Sequence, residues 1–291
     1  MSNSLAEDEW DIPNALKPSV KMEKPNIDVK IYSGRFSIKR TDYNTSVKGQ
    51  IIFKWNPRPR VVFEAKSENQ NSPFEDLVEK LKPFEIEINS LIFGKASFTR
   101  ISGRSIRGEL FNQAILGDKT KAFDKVRFSI PNLRGFHGET IKDFEENKLR
   151  TWNGRIVFEN DLYKIIIDKT KSFTEKKDLL ELNGGYHILY SGFLEAKNSH
   201  MTYGDVKELL FSFSMYLSFI NGRRVSCMFA EGFESNKSIW SDFSPLLTDS
   251  YHHSVSCIPE FQTKGLNDLW NQFYNIWFKQ KEKDFLASAI K

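Results

Sequence analysis

From about residue 28 the apolar positions recur every second residue. Val47, Ile51, Phe53 and Trp55 share one face of a strand and Lys48, Gln50 and Lys54 the other; after Asn56-Pro57-Arg58-Pro59, the residues Val61, Phe63 and Ala65 resume the pattern. This predicts a hairpin. Phe84, Ile86 and Ile88 alternate with Glu85, Glu87 and Asn89, and Val126, Phe128 and Ile130 with Lys125, Arg127 and Ser129, as in antiparallel sheets with one wet face. Further strands are predicted over 154–159, 162–168, 186–195 and 224–230. Two helix starts interrupt them. Ser72, Pro73 and Glu75 occupy N-cap, first-turn and capping-box positions ahead of Phe74, Leu77, Val78 and Leu81, and Thr202 with Asp205 repeats the box before Val206. In the second helix Val206, Leu209, Leu210, Phe213, Leu217 and Ile220 follow helical spacing. Phe211, Met215 and Phe219 cover another side, and Asn221-Gly222 supplies the stop. A helix apolar on most sides is expected to be buried. A last helix begins near Leu266, with Leu269, Trp270, Phe273 and Trp277 on one stripe, and no stop signal follows it.

These elements give an α+β fold class: antiparallel β-sheets first, then a sheet packed on a buried helix (203–220) and a long C-terminal helix. Residues 1–26 are polar, acidic and aperiodic and carry Pro13, Pro18 and Pro25, which predicts a mobile acidic arm with Trp10 as its one docking residue. An antiparallel β domain with one short helix is expected over 27–150 and an α+β domain over 151–291, the latter ending in mid-helix as part of a longer protein.

Composition narrows the class. An apolar content of 40% with 25 Phe suits packed sheets. Two cysteines, Cys227 and Cys257, cannot form a disulfide framework, and Glu7, Asp8, Glu9 and Asp11 stand where a signal peptide needs a basic start. The expected location is the cytoplasm. The longest apolar stretch, Leu209 to Ile220, contains Ser212, Ser214 and Ser218 and falls short of the roughly 20 residues that span a bilayer, so no membrane partner is expected.

Net charge is only +4, but its distribution is uneven. Between Asp28 and Lys66 nine Lys or Arg stand against Asp28, Asp42 and Glu64, so the first strands are expected to present a basic face. Tyr32, Phe36, Tyr43 and Trp55 interleave with these charges, the composition of a single-stranded nucleic-acid surface in which cations track phosphates and rings stack on bases. Lys39, Lys48, Lys54 and Arg58 are the candidate contacts, with Arg100, Arg104 and Arg107 extending the patch. The opposing reading places Phe53 and Trp55 in the core and the cations on a solvated sheet face.

Catalytic motifs are sparse. Asp42 with Glu64-x-Lys66 has the residue types of metal-dependent nucleases, in which carboxylates hold a divalent ion and the lysine helps activate water. Triplets of this kind also arise by chance on a charged strand face, as Glu175-Lys177 and Glu195-Lys197 show. His252, His253, Cys257 and Cys227 are metal-ligand types, yet adjacent histidines on a strand point to opposite faces. Buried thiols are the simpler reading, and no metal is assigned. Gly94-Lys95-Ala96-Ser97 lacks the rest of a phosphate loop and is expected to be a β-turn, and no GxSxG, HExxH or GxGxxG is present. No cofactor is expected.

Three stretches carry a family resemblance: Phe53-Lys54-Trp55-Asn56-Pro57-Arg58-Pro59-Arg60-Val61-Val62-Phe63-Glu64, Gly185-Tyr186-His187-Ile188-Leu189-Tyr190-Ser191-Gly192 and Leu217-Ser218-Phe219-Ile220-Asn221-Gly222-Arg223. With the Trp-rich helix from Leu266 they resemble the N-terminal and central region of a bacterial and phage family of the YopA type. The resemblance implies a front half that precedes an all-helical domain similar to HEPN domains, some of which are RNases of antiviral defence. The Arg-x4-6-His motif of active HEPN domains is absent, since Arg134 and His137 are too close together. The function expected is a non-catalytic recognition or sensing module whose partner is a protein or a following helical domain. The alternatives are the Asp42, Glu64, Lys66 nuclease and a structural or oligomerisation domain.

Overall fold

The structure, a computed structural model, describes residues 15–41, 43–68, 82–145, 148–197, 200–252 and 258–289. The first six strands, β1 (Val29–Arg40), β2 (Tyr43–Lys54), β3 (Arg60–Ser67), β4 (Phe84–Ile88), β5 (Leu91–Ser102) and β6 (Ser105–Phe111), close into an antiparallel barrel in the order β1-β2-β3-β6-β5-β4. The alternation read along the chain decides which residues fill it. Val47, Ile51, Phe53, Trp55, Val61, Phe63, Ile86 and Ile88 all turn inward and are buried. Gly108 admits the ring of Phe63, since a Cβ there would lie 2.2 Å from it.

The remaining strands are β7 (Ile115–Gly117), β8 (Lys125–Pro131), β9 (Glu139–Glu145), β10 (Lys148–Glu159), β11 (Tyr163–Lys169), β12 (Ile188–Ala196), β13 (Met228–Glu234) and β14 (Lys237–Asp242). They form one antiparallel sheet in the order β7-β14-β13-β8-β12-β11-β10-β9. The change of sheet therefore lies at residues 112–114, and a division at 150 falls inside β10. The period-two alternation continues past 112 in β8 without a compositional break, so nothing local marks this change of sheet. Gly94 and Lys95 lie inside β5 rather than in a turn, and the strand expected over 224–230 begins at Met228.

Three helices complete the chain: α1 (Phe173–Asn183), α2 (Tyr203–Asn221) and α3 (Leu266–Ala289). The helix start expected at Ser72 lies outside the described residues. α2 begins on the Thr202 and Asp205 capping box and ends at Gly222, whose φ of 73° gives the left-handed stop. Its inner side packs on the sheet. Phe213 meets Phe158 at 5.0 Å between ring centroids and Trp270 of α3 at 5.1 Å. α3 is held at its start by Tyr216, whose hydroxyl donates to the Leu266 carbonyl, and by Asn267, whose Oδ1 accepts from Glu159 N–H. The outer side of α2 departs from the expectation of full burial. Phe211, Met215 and Phe219 are exposed, because the sheet takes one face of the helix and α3 covers only part of the other.

Residues 15–26, expected within an arm, lie against the body. Ala15 N–H donates to the Lys142 carbonyl, Leu16 N–H to Asp168, and Met22 is buried with the barrel core. Backbone hydrogen bonding to the sheet, rather than an apolar period, makes this attachment. Among the described residues no helix is long and apolar enough to cross a membrane.

Candidate functional site

The barrel exterior carries most of the residues singled out by charge. An open groove of about 540 Å³ is lined by Lys48, Glu64, Lys66 and Arg107, and a neighbouring one of about 310 Å³ by Lys54, Arg60, Glu64, Arg107 and Glu109. Arg100 and Arg107 share a third depression. The basic segment thus does form a face, but much of its charge is answered by acids from other strands. Lys39 pairs with Glu87 at 2.9 Å, Arg35 with Glu68 at 3.0 Å, Arg58 with Glu109 at 3.4 Å, Arg107 with Glu64 at 3.4 Å, and Lys54 with Asp28 at 4.0 Å. Arg104 donates to the Ser67 and Glu68 carbonyls. Of the four rings named for stacking, Phe36 and Trp55 are buried in the barrel, while Tyr32 and Tyr43 are partly buried against it.

Of the candidate nuclease residues, Glu64 and Lys66 line the first groove. Asp42 lies outside the described residues. The Glu64 carboxylate is already committed to Arg107. Among the described residues no group of three His, Cys, Asp or Glu could hold a metal ion. Cys257 and His253 lie outside the described residues, and Cys227 is buried.

A second site, invisible in the local pattern, sits where the barrel meets the sheet. β13 is irregular between Met228 and Glu231, so its side chains divide between two cores. Met228 and Phe229 point into the barrel end, where Phe229 meets Phe53 at 4.9 Å and Trp55 at 5.7 Å, while Cys227 and Ala230 join the sheet core. Phe229 adopts a φ of 54° to do so, a conformation costing about 1–3 kcal/mol for a non-glycine residue. Between the diverging side chains lies a cavity of about 330 Å³. Its walls include Val206, Leu210 and Phe211 of α2, Ala230, Trp240 and Leu246.

Asn112, Lys207 and Glu208 stand among the lining residues, and the other polar groups, from Tyr203, Asp242 and Ser244, are tied to one another. Tyr203 donates its hydroxyl to Asp242 Oδ2 at 2.6 Å, and Ser244 N–H donates to Asp242 Oδ1 at 2.8 Å. Burial, with the Asp242 carboxylate adding to it, pushes the Tyr203 phenol far above its usual range. The Trp240 indole lies across Gly232, its register partner on β13, and its buried N–H has no acceptor among the described residues. Burial pushes the Cys227 thiol up to about 12, so it stays protonated near neutral pH and is a poor nucleophile. Such a lining can hold an apolar molecule and orient one polar edge, but it offers no activated nucleophile. The residues come from positions 112 to 246. Nothing in the local pattern brings them together, since they meet only through the pairing of β13 with β14 and the packing of α2.

Residues 118–254 match the family described as the YopA central domain, a segment that includes the cavity walls from α2, β13 and β14. The chain is 24% identical over 265 residues to the SPbeta prophage-derived uncharacterized protein YopA of Bacillus subtilis (strain 168), covering 88% of this chain. It spans 59% of the length of that relative. No solved structure matches the chain.

Proposed function

We propose that the chain is a non-catalytic recognition module of a bacterial or phage protein that seats a small, mainly apolar ligand between barrel and sheet. The cavity carries this reading: at about 330 Å³ it falls in the range of small-molecule pockets, which gather where domains meet and combine apolar walls with a few placed polar groups. The strained backbone of Phe229 beside it supports the same assignment, because strain of that kind is retained where the surroundings hold a site in shape. The likeness to a prophage protein supports the bacterial or phage setting. The neutral Cys227 thiol and the Asp242 carboxylate held by two donors favour binding over turnover.

A planar probe such as indole tests it. With nine heavy atoms at about −0.5 kcal/mol each, indole is expected to bind with a dissociation constant on the order of 0.5 mM. Shifts of the Leu210, Met228 and Ala230 methyl resonances report occupancy. Ala230→Phe, which fills the cavity, is expected to abolish these shifts while the variant remains folded. Absence of shifts in the wild-type protein, or shifts undiminished by Ala230→Phe, would refute the proposal.

A further inference from the structure

The 132–135 segment that follows β8, α1, the end of α2 and the 249–252 segment surround a compact cleft of about 50 Å³. Its lining includes Arg134, Lys177, Arg223 and Arg224, together with Asp249 and Glu260. Lys169 stands directly behind it. A Cβ on Gly135, which lines the cleft, would lie 3.5 Å from Lys169 Nζ.

The charges here do not balance. Arg224 is satisfied by Asp249 at 2.8 Å, and Lys177 by Glu181 at 3.4 Å. Among the described residues Arg223 donates to the Ser250 carbonyl at 3.2 Å. Arg134 is mostly buried, and its Nη2 reaches Glu260 at 3.8 Å. Its Nη1 is buried with no acceptor among the described residues. Burial pushes Lys169 below its usual range and Lys177 adds to this, against the pull of Glu260. Five cations thus meet three carboxylates. The two arginines after α2 complement the negative end of the helix dipole, but that does not explain a buried guanidinium N–H without an acceptor or a lysine held against another cation. A buried unmet donor of a charged group is costly unless something accepts from it.

We infer that this cleft binds a phosphate-class oxyanion, either free or as the terminal group of a larger molecule, with Arg134 as its inner ligand and Arg223 at its mouth. The guanidinium fork matches an oxyanion in two parallel hydrogen bonds. A space of about 50 Å³ admits several waters or one compact anion, but not an organic ligand of ordinary size. Arg134 is held in place for the purpose. Its backbone N–H donates to Oδ1 of buried Asn221 at 2.9 Å, and its guanidinium lies over Phe136 at 5.4 Å. The inference is independent of the junction cavity, which shares no lining residue with this cleft.

The test is calorimetric titration with inorganic phosphate, AMP and acetate, each at constant ionic strength set by chloride. Phosphate is expected to bind saturably. Arg134→Gln is expected to weaken it at least tenfold and Arg223→Gln, on the solvent side, at least threefold. AMP binding more than threefold tighter than phosphate would assign the terminal group of a nucleotide-like molecule, and equal affinity would assign the free anion. No heat above the chloride control, binding unchanged in both variants, or acetate bound in preference to phosphate would overturn the inference. If Arg134→Gln does not fold, the Arg223→Gln arm decides alone.

Discussion

Arg155 of β10 and Asp168 of β11 face each other in register and form a two-pronged ion pair, Nε to Oδ1 and Nη2 to Oδ2, both at 2.7 Å. Their side chains are 3% and 0% exposed, so neither charge has water to fall back on. Asp168→Ala leaves the guanidinium buried without its counter-charge and is expected to cost about 3–5 kcal/mol. For a chain of this size that corresponds to a melting point lower by roughly 6–10 °C. Arg155→Met is expected near the lower end of the range, because Leu16 N–H still donates to Asp168 Oδ2 at 3.0 Å. The double variant Arg155→Met, Asp168→Leu removes both charges and is expected to recover most of the loss, less about 1 kcal/mol for the orphaned Leu16 N–H. Arg35→Ala is the control: that pair with Glu68 is 73% and 37% exposed, and such pairs contribute less than about 1 kcal/mol. Urea unfolding followed by tryptophan fluorescence reads all four variants. Asp168→Ala and Arg155→Met each costing under about 1 kcal/mol, or a double variant costing the sum of its parts, would refute the reasoning.

Two further outcomes follow from buried and exposed charge. Burial, reinforced by Lys176, pushes His187 down to about 4, below its ordinary 6.5, so the unfolded chain binds the proton first as pH falls. Stability is expected to be complete above about pH 6.5 and to decline by up to about 3 kcal/mol toward pH 4; His187→Gln should flatten that limb in urea midpoints, and an unchanged limb would exclude His187 as its source. On the barrel, single-stranded oligonucleotides are expected to be retained only at low salt and released near 0.15 M. A saturable affinity at 0.15 M that falls with salt at about −0.7 per phosphate and disappears in Lys48→Glu, Lys54→Glu would instead establish nucleic-acid binding.

The elements most legible in the chain were those whose signal is local. α2 announced itself through Thr202, Asp205 and Gly222, and the β2–β3 hairpin through its alternation, because caps and period-two faces act over a few residues. α1 was not legible: Phe173–Asn183 is charged, buries only Leu180 and starts at Ser172 with no side-chain cap bond. Closure of the barrel depends on β1 meeting β4, a pairing of Ser37 with Glu87 fifty residues away, and nothing local specifies it. The exposed Phe211, Met215 and Phe219 show the same limit from the other side, since a helix's pattern reports how apolar each face is but not which faces find a neighbour.

Charge read along the chain is incomplete for a related physical reason. Counting Lys and Arg between Asp28 and Lys66 treats neighbours in the chain as neighbours in the field, yet the acids that answer them, Glu68, Glu87 and Glu109, arrive from beyond the segment or from other strands. Arg134, Lys169, Lys177 and Arg223 look like ordinary surface cations when read in line, and they converge only when the segment after β8, β11, α1 and the end of α2 are packed. What makes a cation consequential is that burial denies it water while the fold denies it a full complement of acceptors. Arg58, 76% exposed and paired with Glu109, loses little if its partner goes; Arg134, 16% exposed with one buried N–H that has no acceptor among the described residues, is where an added anion would change the energy of the protein.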